Sequence, residues 1–475
     1  MESSSSSKVT VEYHDPYGVF PLIQNDLSSR SPLRNLNWKS PKRPLRRIDA
    51  LHVDFISGAS SITSDIQSPR LGPNGRPTST PGPGDVGSKE RRHQIPGLRE
   101  TPYLKLFLLR CDDKDTYKAD ARKQVRDWVR DNTVSNRTSS SVNKQGSHDA
   151  FEWMILHVVI PDTVAASEPR WRPDKKDPDE LAERSQSKAK WPTKSTSTVY
   201  DKIRADFNPS SKSSALERVA QIRLQKNVVP PSFLPRTPVP SPYNETSQEQ
   251  ENAWQDLVSK FKVLILQSFD LRVTQYEDDI REKEAQRALP GWNFCTFFTL
   301  KEGLARGFES VGLVEDALSI YEELSAGLDA SVRDSMGVPT FLGDMGPLRR
   351  ELQHVAESKG NPAQAKDAES RVSHLIVSPL DLGKKDYRSL IVSSTIPLFD
   401  FQTYIFARQR ALLYRLGNAL SSPRLASAAS AASKTGRSDD DLFYMADVCK
   451  RAAAFVTSNA RILRQELSSG YALAM

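Results

Sequence analysis

Two apolar runs decide the fold: Tyr103–Arg110 (YLKLFLLR) and Phe151–Ile160 (FEWMILHVVI). Each is short and marked off by proline, the first following Pro102 and the second stopped by Pro161, so both read as buried strands. Between them Thr116–Arg130 sets Ala119, Val125, Trp128 and Val129 around one helical face, with Asp115 or Thr116 as the N-cap. Strand, helix, strand in that order predicts parallel pairing through a right-handed crossover. Further along, Val199–Phe207 repeats the helical period through Val199, Ile203 and Phe207, and Arg218–Leu224 alternates like a strand. Leu51–Ile56 offers a fourth strand. The expectation is a small N-terminal α/β domain with a partly parallel sheet.

From Glu251 the apolar period becomes 3.6 residues. Trp254, Leu257, Val258, Phe261, Leu264, Ile265, Phe269, Val273, Tyr276 and Ile280 step by three or four, which predicts one long helix to about Ala288 that Pro290-Gly291 ends. Phe294, Phe297, Phe298, Leu304 and Phe308 form the next apolar face. A turn at Gly312 leads to Val314, Ala317, Leu318, Tyr321 and Leu324, an αα-hairpin whose Ala317-x-x-x-Tyr321 has the packing spacing of a tetratricopeptide helix. Further helices fit Phe401–Gly417 and Leu442–Leu467. The fold class expected is therefore α+β followed by an irregular α-helical, solenoid-like array. Its domains are a disordered tail at 1–10, the α/β domain at 11–250 and the array at 251–475.

Proline and serine mark the insertions. Disordered segments are expected at 57–97, 132–148, 161–197 and 225–250, with a flexible loop at 421–440; the stretch ending in Val229–Pro242 should be extended and polyproline-like. The chain has 475 residues, a prior of about three domains, and its 66 basic against 59 acidic residues give +7 on a chain that is 26% charged. That balance disfavours a polybasic nucleic-acid binder. Three scattered cysteines, Cys111, Cys295 and Cys449, form no framework or CxxC pair and read as buried thiols. No apolar run approaches the roughly 20 residues of a membrane span, and the serine-rich start has no apolar leader core, so neither secretion nor membrane spanning is expected.

Chemistry is hard to place. The strand Tyr103–Arg110 is followed by Cys-Asp-Asp-Lys-Asp-Thr with no glycine, so it has no phosphate cradle, and Pro73–Pro77 has no helix behind it. The seven histidines show no metal-ligand spacing, and His157, inside an apolar strand, reads as a hydrogen-bonded core residue. Neither catalytic residues nor cofactor nor metal site is expected. One local feature rises above background: Arg30–Arg47 holds seven basic residues and no acid, equal to the net charge of the whole chain. Its Arg34, Lys39, Lys42, Arg43, Arg46 and Arg47, interleaved with Leu33, Leu36, Trp38 and Leu45, would suit anionic lipid at up to about 1 kcal/mol per charge or an acidic partner. The competing reading is a basic edge neutralised by Asp26 and Asp49. Ser40-Pro41, Ser68-Pro69, Thr80-Pro81, Thr237-Pro238 and Ser241-Pro242 are proline-directed phosphorylation motifs, each worth about −1.5 to −2 charge.

Ordered blocks carry a family resemblance. Pro32–Trp38 (PLRNLNW), Arg46–Asp49, Val199–Phe207 and above all Phe269–Leu324, with Gln275–Ile280 (QYEDDI), Pro290–Cys295 (PGWNFC) and Glu315–Leu324 (EDALSIYEEL), resemble the N-terminal half of the large TRAPP II-specific subunit, the subunit-10 class, in a fungal-looking form. The resemblance implies a tethering and exchange-factor subunit. TRAPP II promotes nucleotide exchange on Rab GTPases in Golgi and endosome-to-Golgi traffic; the small core subunits perform the exchange, and the large subunit acts as a clamp on that core. It implies other TRAPP subunits as partners, a Rab GTPase through the complex, peripheral contact with anionic membrane, no nucleic acid, and a cytoplasmic location on Golgi membranes. Family members run well beyond this length, with a β-rich C-terminal half, so a fragment or truncated gene model is expected. Two other classes stay open: a free-standing peptide-binding adaptor, and an enzyme with polar groups gathered at the strand ends near Cys111–Asp115 and beyond Ile160.

Overall fold

A computed structural model describes residues 7–41, 43–58, 101–133, 149–168, 198–208, 216–241, 245–334, 386–421 and 436–472. The expected insertions at 57–97, 132–148 and 161–197, the loop at 421–440 and the tail before Ser7 fall wholly or largely outside these residues. Two compact units are formed, one ending at Arg272 and the other beginning at Val273.

The first unit is built on a six-stranded sheet: β1 (Lys8–His14), β2 (Leu33–Trp38), β3 (Arg46–Ser57), β4 (Leu104–Arg110), β5 (Glu152–Val159) and β6 (Val219–Arg223), in the order β2-β3-β1-β4-β5-β6. β2 runs antiparallel to β3, and the other neighbouring pairs are parallel. Leu104–Arg110 and Glu152–Val158 pair in parallel register as the two apolar runs require. The helix between them begins at Lys114, capped by Asp113 rather than by Asp115 or Thr116, and runs as Lys114–Thr116, a π turn at Tyr117–Ala121 and Arg122–Asn132; we call it α2. The carboxylate of Asp113 takes the N–H groups of Asp115 and Thr116, which satisfies donors that a helix start leaves open.

The sheet is larger than expected because its first half does not look like strand. Lys8–Thr10, expected in the disordered tail, begins β1, and helix α1 (Phe20–Ser29) buries Phe20, Ile23 and Leu27. In β2 the buried Leu33 and Leu36 stand three residues apart, a spacing that a regular strand sends to opposite faces. Asn35, at φ 57°, turns the backbone so that both point inward, and asparagine is among the residues that tolerate this conformation. The hydrophobic alternation is therefore broken where the strand is.

Both faces of the sheet are covered, which is why β4 and β5 are mostly apolar along their length. On one face α2 and the helix Val199–Phe207 (α3) pack Tyr117, Val125, Ile203 and Phe207 onto Phe107, Leu109, Ile155 and Val159. On β3 and β2, Phe55 meets Phe20 of α1 at 6.1 Å and Phe261 at 6.3 Å, and Trp38 meets Phe269 edge-on at 5.0 Å. Phe261 and Phe269 belong to α4 (Ser247–Ala285), the long helix expected to open the helical array. The unit boundary consequently falls inside α4, not at residue 250: its apolar stripe up to Arg272 covers the sheet. Residues 225–241, expected in a disordered insertion, are seated. Val229 is buried, a 3-10 turn forms at Pro231–Phe233, and Pro230 and Leu234 adopt polyproline-like angles.

In the second unit α5 (Phe294–Val311) and α6 (Val314–Asp334) form the expected hairpin, with Gly312 left-handed at φ 89° and Leu313 N–H donating to the Phe308 carbonyl. Ala317 and Tyr321 are fully buried. α7 (Tyr387–Val392), α8 (Leu398–Ser421) and α9 (Gly436–Ala472) complete the unit. Buried charges are paired: Glu302 accepts from Tyr404, and Glu309 accepts from Arg408 and, at 2.9 Å, from Arg415. Cys449 is exposed, contrary to the expectation of three buried thiols; Cys111 and Cys295 are buried.

Gly303 of α5 lies against Tyr276 of α4, where an added Cβ would fall 2.6 Å from the ring. Alanine outranks glycine inside a helix by about 0.5–1 kcal/mol, so the sign of Gly303→Ala is informative. It is expected to destabilise the unit by about 1–3 kcal/mol, the usual cost of overpacking. A raised melting temperature in thermal denaturation would show that the two helices part freely.

Candidate functional site

In open α/β sheets ligands bind outside the carboxyl ends of the strands, where the strand order reverses. Here the chain leaves β1 toward β2 and β3 and then returns to β4 on the other side, so the switch point lies between β1 and β4. The turns that line it are Asp15–Val19 and Cys111–Asp113.

Each is filled by the protein's own groups. The Asp15 carboxylate accepts the N–H groups of Tyr17 at 3.3 Å, Val19 at 3.1 Å and Phe20 at 2.7 Å. These are the amides at the start of α1 that would otherwise face an anion. Tyr17 reaches across the switch point and donates its hydroxyl to Gln124 of α2 at 2.8 Å. Cys111 donates its thiol to the Asp113 carbonyl, and burial, reinforced by the nearby carboxylates of Asp113, Asp112 and Glu168, pushes its pKa up to about 12. Such a thiol stays protonated and is a poor nucleophile.

The ends of β4, β5 and β6 are closed in the same way. Arg110 pairs with Asp112 at 2.9 Å and Lys114 with Glu168 at 3.0 Å. Glu168 also accepts the Val199 N–H at 2.7 Å, and Arg223 donates to the carbonyls of Ala166 and Glu168. The proline-rich stretch lies over these ends. Arg110 holds the Phe233 carbonyl at 3.0 Å, the Val239 N–H donates to Asp162 at 2.9 Å, and Lys226 pairs with the Asp162 carboxylate at 2.7 Å. His157 is a core residue, its Nε2 on the Cys111 carbonyl at 3.0 Å and its Nδ1 beside Gln221 Nε2 at 3.1 Å. Among the described residues no His, Cys, Asp and Glu cluster is arranged to hold a metal ion, and no helix is long and apolar enough to cross a membrane. The polar groups that an enzyme would gather here are committed to backbone and to one another.

Asp15→Ala is expected to cost about 1–2 kcal/mol, the upper range for a lost helix cap, measured by urea unfolding. Addition of a nucleoside triphosphate with Mg²⁺ is expected to leave the melting temperature of the unaltered protein where it was, since a ligand that binds the folded state raises it.

The basic residues singled out in the sequence occupy the opposite side of the sheet order, on the edge hairpin β2–β3. Arg34 and Lys39 are exposed, Arg43 and Arg46 are half-buried, and Lys42 lies outside the described residues. Arg47 is exposed and pairs with Asp49 at 3.1 Å. Asp26 gives Arg30 its backbone carbonyl; the carboxylate on Arg30 is that of Glu251, at 2.8 Å, with the guanidinium 4.4 Å from the Trp254 ring. Leu33, Leu36 and Trp38 are buried, and Trp38 donates its indole N–H to Asp270 at 3.1 Å, so they are unavailable to a membrane; Leu45, 62% exposed, is the apolar residue left at the tip.

The chain also has sequence relatives. Residues 85–174 and 238–287 match the family model of trafficking protein particle complex subunit 10-like proteins, N-terminal region. The chain is 26% identical over 425 residues to trafficking protein particle complex subunit 10 of Dictyostelium discoideum, covering 86% of this chain. The chain resembles the large TRAPP II-specific subunit. It is also 25% identical over 413 residues to the trafficking protein particle complex II-specific subunit 130 homolog of Arabidopsis thaliana, and 26% identical over 317 residues to subunit 10 of Homo sapiens. It spans 22%, 24% and 19% of the lengths of these three TRAPP relatives.

Proposed function

We propose that this chain serves as part of a non-catalytic scaffold and tethering subunit of a TRAPP II complex. In that role it binds other TRAPP subunits and supports, through the assembled complex, nucleotide exchange on a Rab GTPase during Golgi and endosome-to-Golgi traffic. The protein works in the cytoplasm, peripherally on Golgi membranes. The observation that carries this reading is the resemblance to TRAPP subunits along 86% of the chain; the self-occupied switch point supports the absence of a reaction of its own. Function then resides in surfaces, and a helical array supplies extended ones. The edge hairpin, with Arg34, Lys39, Arg43, Arg46 and Arg47, faces anionic lipid in this reading, at about 1 kcal/mol per charge near the surface.

The test is a pull-down with residues 1–475 from cells, read by mass spectrometry. Recovery of TRAPP core subunits is the expected result. Recovery of short peptide ligands without any TRAPP subunit would favour the adaptor, and recovery of neither would overturn the proposal. Flotation with phosphatidylserine vesicles separates the membrane part of the reading: Arg34→Ala with Lys39→Ala and Arg47→Ala should reduce it, and unchanged flotation would remove the hairpin from the membrane face.

A further inference from the structure

The proline-rich stretch over the strand ends carries a feature that scaffolding does not use. Five Ser-Pro or Thr-Pro motifs have their hydroxyl residue among the described residues: Ser31 and Thr101, half-buried, the first accepting the Val53 N–H at 3.2 Å and the second donating to Asp149 at 3.3 Å, and Ser40, Thr237 and Ser241. Their surroundings differ sharply. Ser40 is 3% exposed and its carbonyl accepts the Arg43 N–H, so it sits inside the turn of the edge hairpin. Ser241 is half-buried and its hydroxyl donates to the Ala166 carbonyl at 3.3 Å. Thr237 is exposed, between the exposed Arg236 and Pro238.

We propose that Thr237 is a modification site, phosphorylated by a proline-directed protein kinase. Pro238 has no N–H, so it suits a pocket that would leave the donor of any other residue unsatisfied. Residues 234–241 form neither helix nor strand, and Pro235, Pro238 and Pro240 have no donor with which to join one. The Val239 N–H on the Asp162 carbonyl anchors the stretch two residues past Thr237, and Thr237 itself is exposed beside that anchor. A kinase groove that draws out an extended peptide therefore disrupts little backbone pairing here, whereas Ser40 is reached only by opening the hairpin.

In the transfer, the Thr237 hydroxyl oxygen bonds to the γ-phosphorus of ATP while the bond from that phosphorus to the β–γ bridging oxygen breaks. The hydroxyl proton passes to the kinase's catalytic carboxylate, and ADP leaves. The product adds about −1.5 to −2 charge next to Arg236 and close to Asp162, whose carboxylate Lys226 already holds at 2.7 Å.

The site is independent of whether the chain assembles with a TRAPP core, and its test is direct. The 475-residue chain is incubated with ATP and a cyclin-dependent-class kinase, digested, and mapped by tandem mass spectrometry. Phosphate on Thr237 and none on Ser40 is the expected pattern. Thr237→Val, which keeps the side-chain shape, should remove phosphate from that peptide alone. Phosphate on Ser40 at comparable occupancy overturns the proposal. So does an unmodified Thr237 in the folded chain, whether or not a synthetic peptide spanning 232–244 is modified under the same conditions.

Discussion

Arg272→Met should lower the unfolding free energy of the first unit by about 3–5 kcal/mol, because it takes the donor away from three carbonyls at once. Arg272 is 9% exposed, near the end of the part of α4 that packs on the sheet. Its guanidinium donates to the carbonyls of Ala150 at 2.6 Å, Pro102 at 2.8 Å and Thr101 at 3.3 Å, and lies 3.9 Å from the centre of the Tyr103 ring. Those carbonyls belong to the segments that lead into β4 and β5, so one side chain fastens the helix to the entrances of two adjacent parallel strands. Methionine keeps the apolar stem and deletes the donors, leaving acceptors whose desolvation costs about 1–3 kcal/mol each when unpaired. Arg272→Lys, which keeps the charge without the planar fork, should recover part of the loss. The measurement is urea unfolding followed by tryptophan fluorescence; a loss below about 1 kcal/mol would mean that water replaces the guanidinium at these carbonyls.

Phe298→Ala is the corresponding probe of the helical unit, with an expected loss of about 3–5 kcal/mol. Phe298 is fully buried; its ring meets Phe401 edge-on at 4.7 Å, Tyr404 at 6.2 Å and Phe294 at 6.3 Å. It thus joins α5 to α8 across about a hundred residues of sequence. Phe298→Leu retains most of the volume and should lose less than half as much. Equal losses for the two variants in guanidinium unfolding would show that ring geometry, and not cavity volume, sets the cost.

These two clusters show how far the amino-acid order reaches. The central β4–α2–β5 unit was legible because its strands are buried on both faces, which leaves continuous apolar runs ended by proline. The α5–α6 hairpin was legible because Gly312 is the residue that a left-handed cap requires and the flanking apolar residues keep one period. β1 and β2 were not. Lys8–His14 is too short to outweigh a serine-rich start, and Asn35 breaks the alternation of β2 by reversing the backbone. The end of the first unit was misplaced for a related reason: the stripe from Trp254 to Ile280 states that α4 buries one face, and Phe261, Phe269 and Arg272 show against what.

At the switch point the missing glycine after β4 already argued against a phosphate cradle. The filling of that place by Asp15, Tyr17 and Gln124 depends on hydrogen bonds between segments as much as 107 residues apart, and no local pattern announces them. The basic segment shows the same division in a single stretch. Its charge is a property of composition, whereas the removal of Leu33, Leu36 and Trp38 into the core, leaving Leu45 outside, follows from the pairing of β2 with β3 and the approach of α4.

What the order of residues determined by itself was periodicity, punctuation and charge: which segments fold as helix or strand, where glycine and proline interrupt them, and where basic residues gather. Tertiary structure decided which partner each apolar face meets, which polar groups are consumed in closing the sheet, and that Thr237 stands exposed where Ser40 is buried. The physical reason is one of range. Backbone conformation responds to neighbours a few residues away, while burial and hydrogen-bond partnership are settled only when segments distant in the chain come into contact.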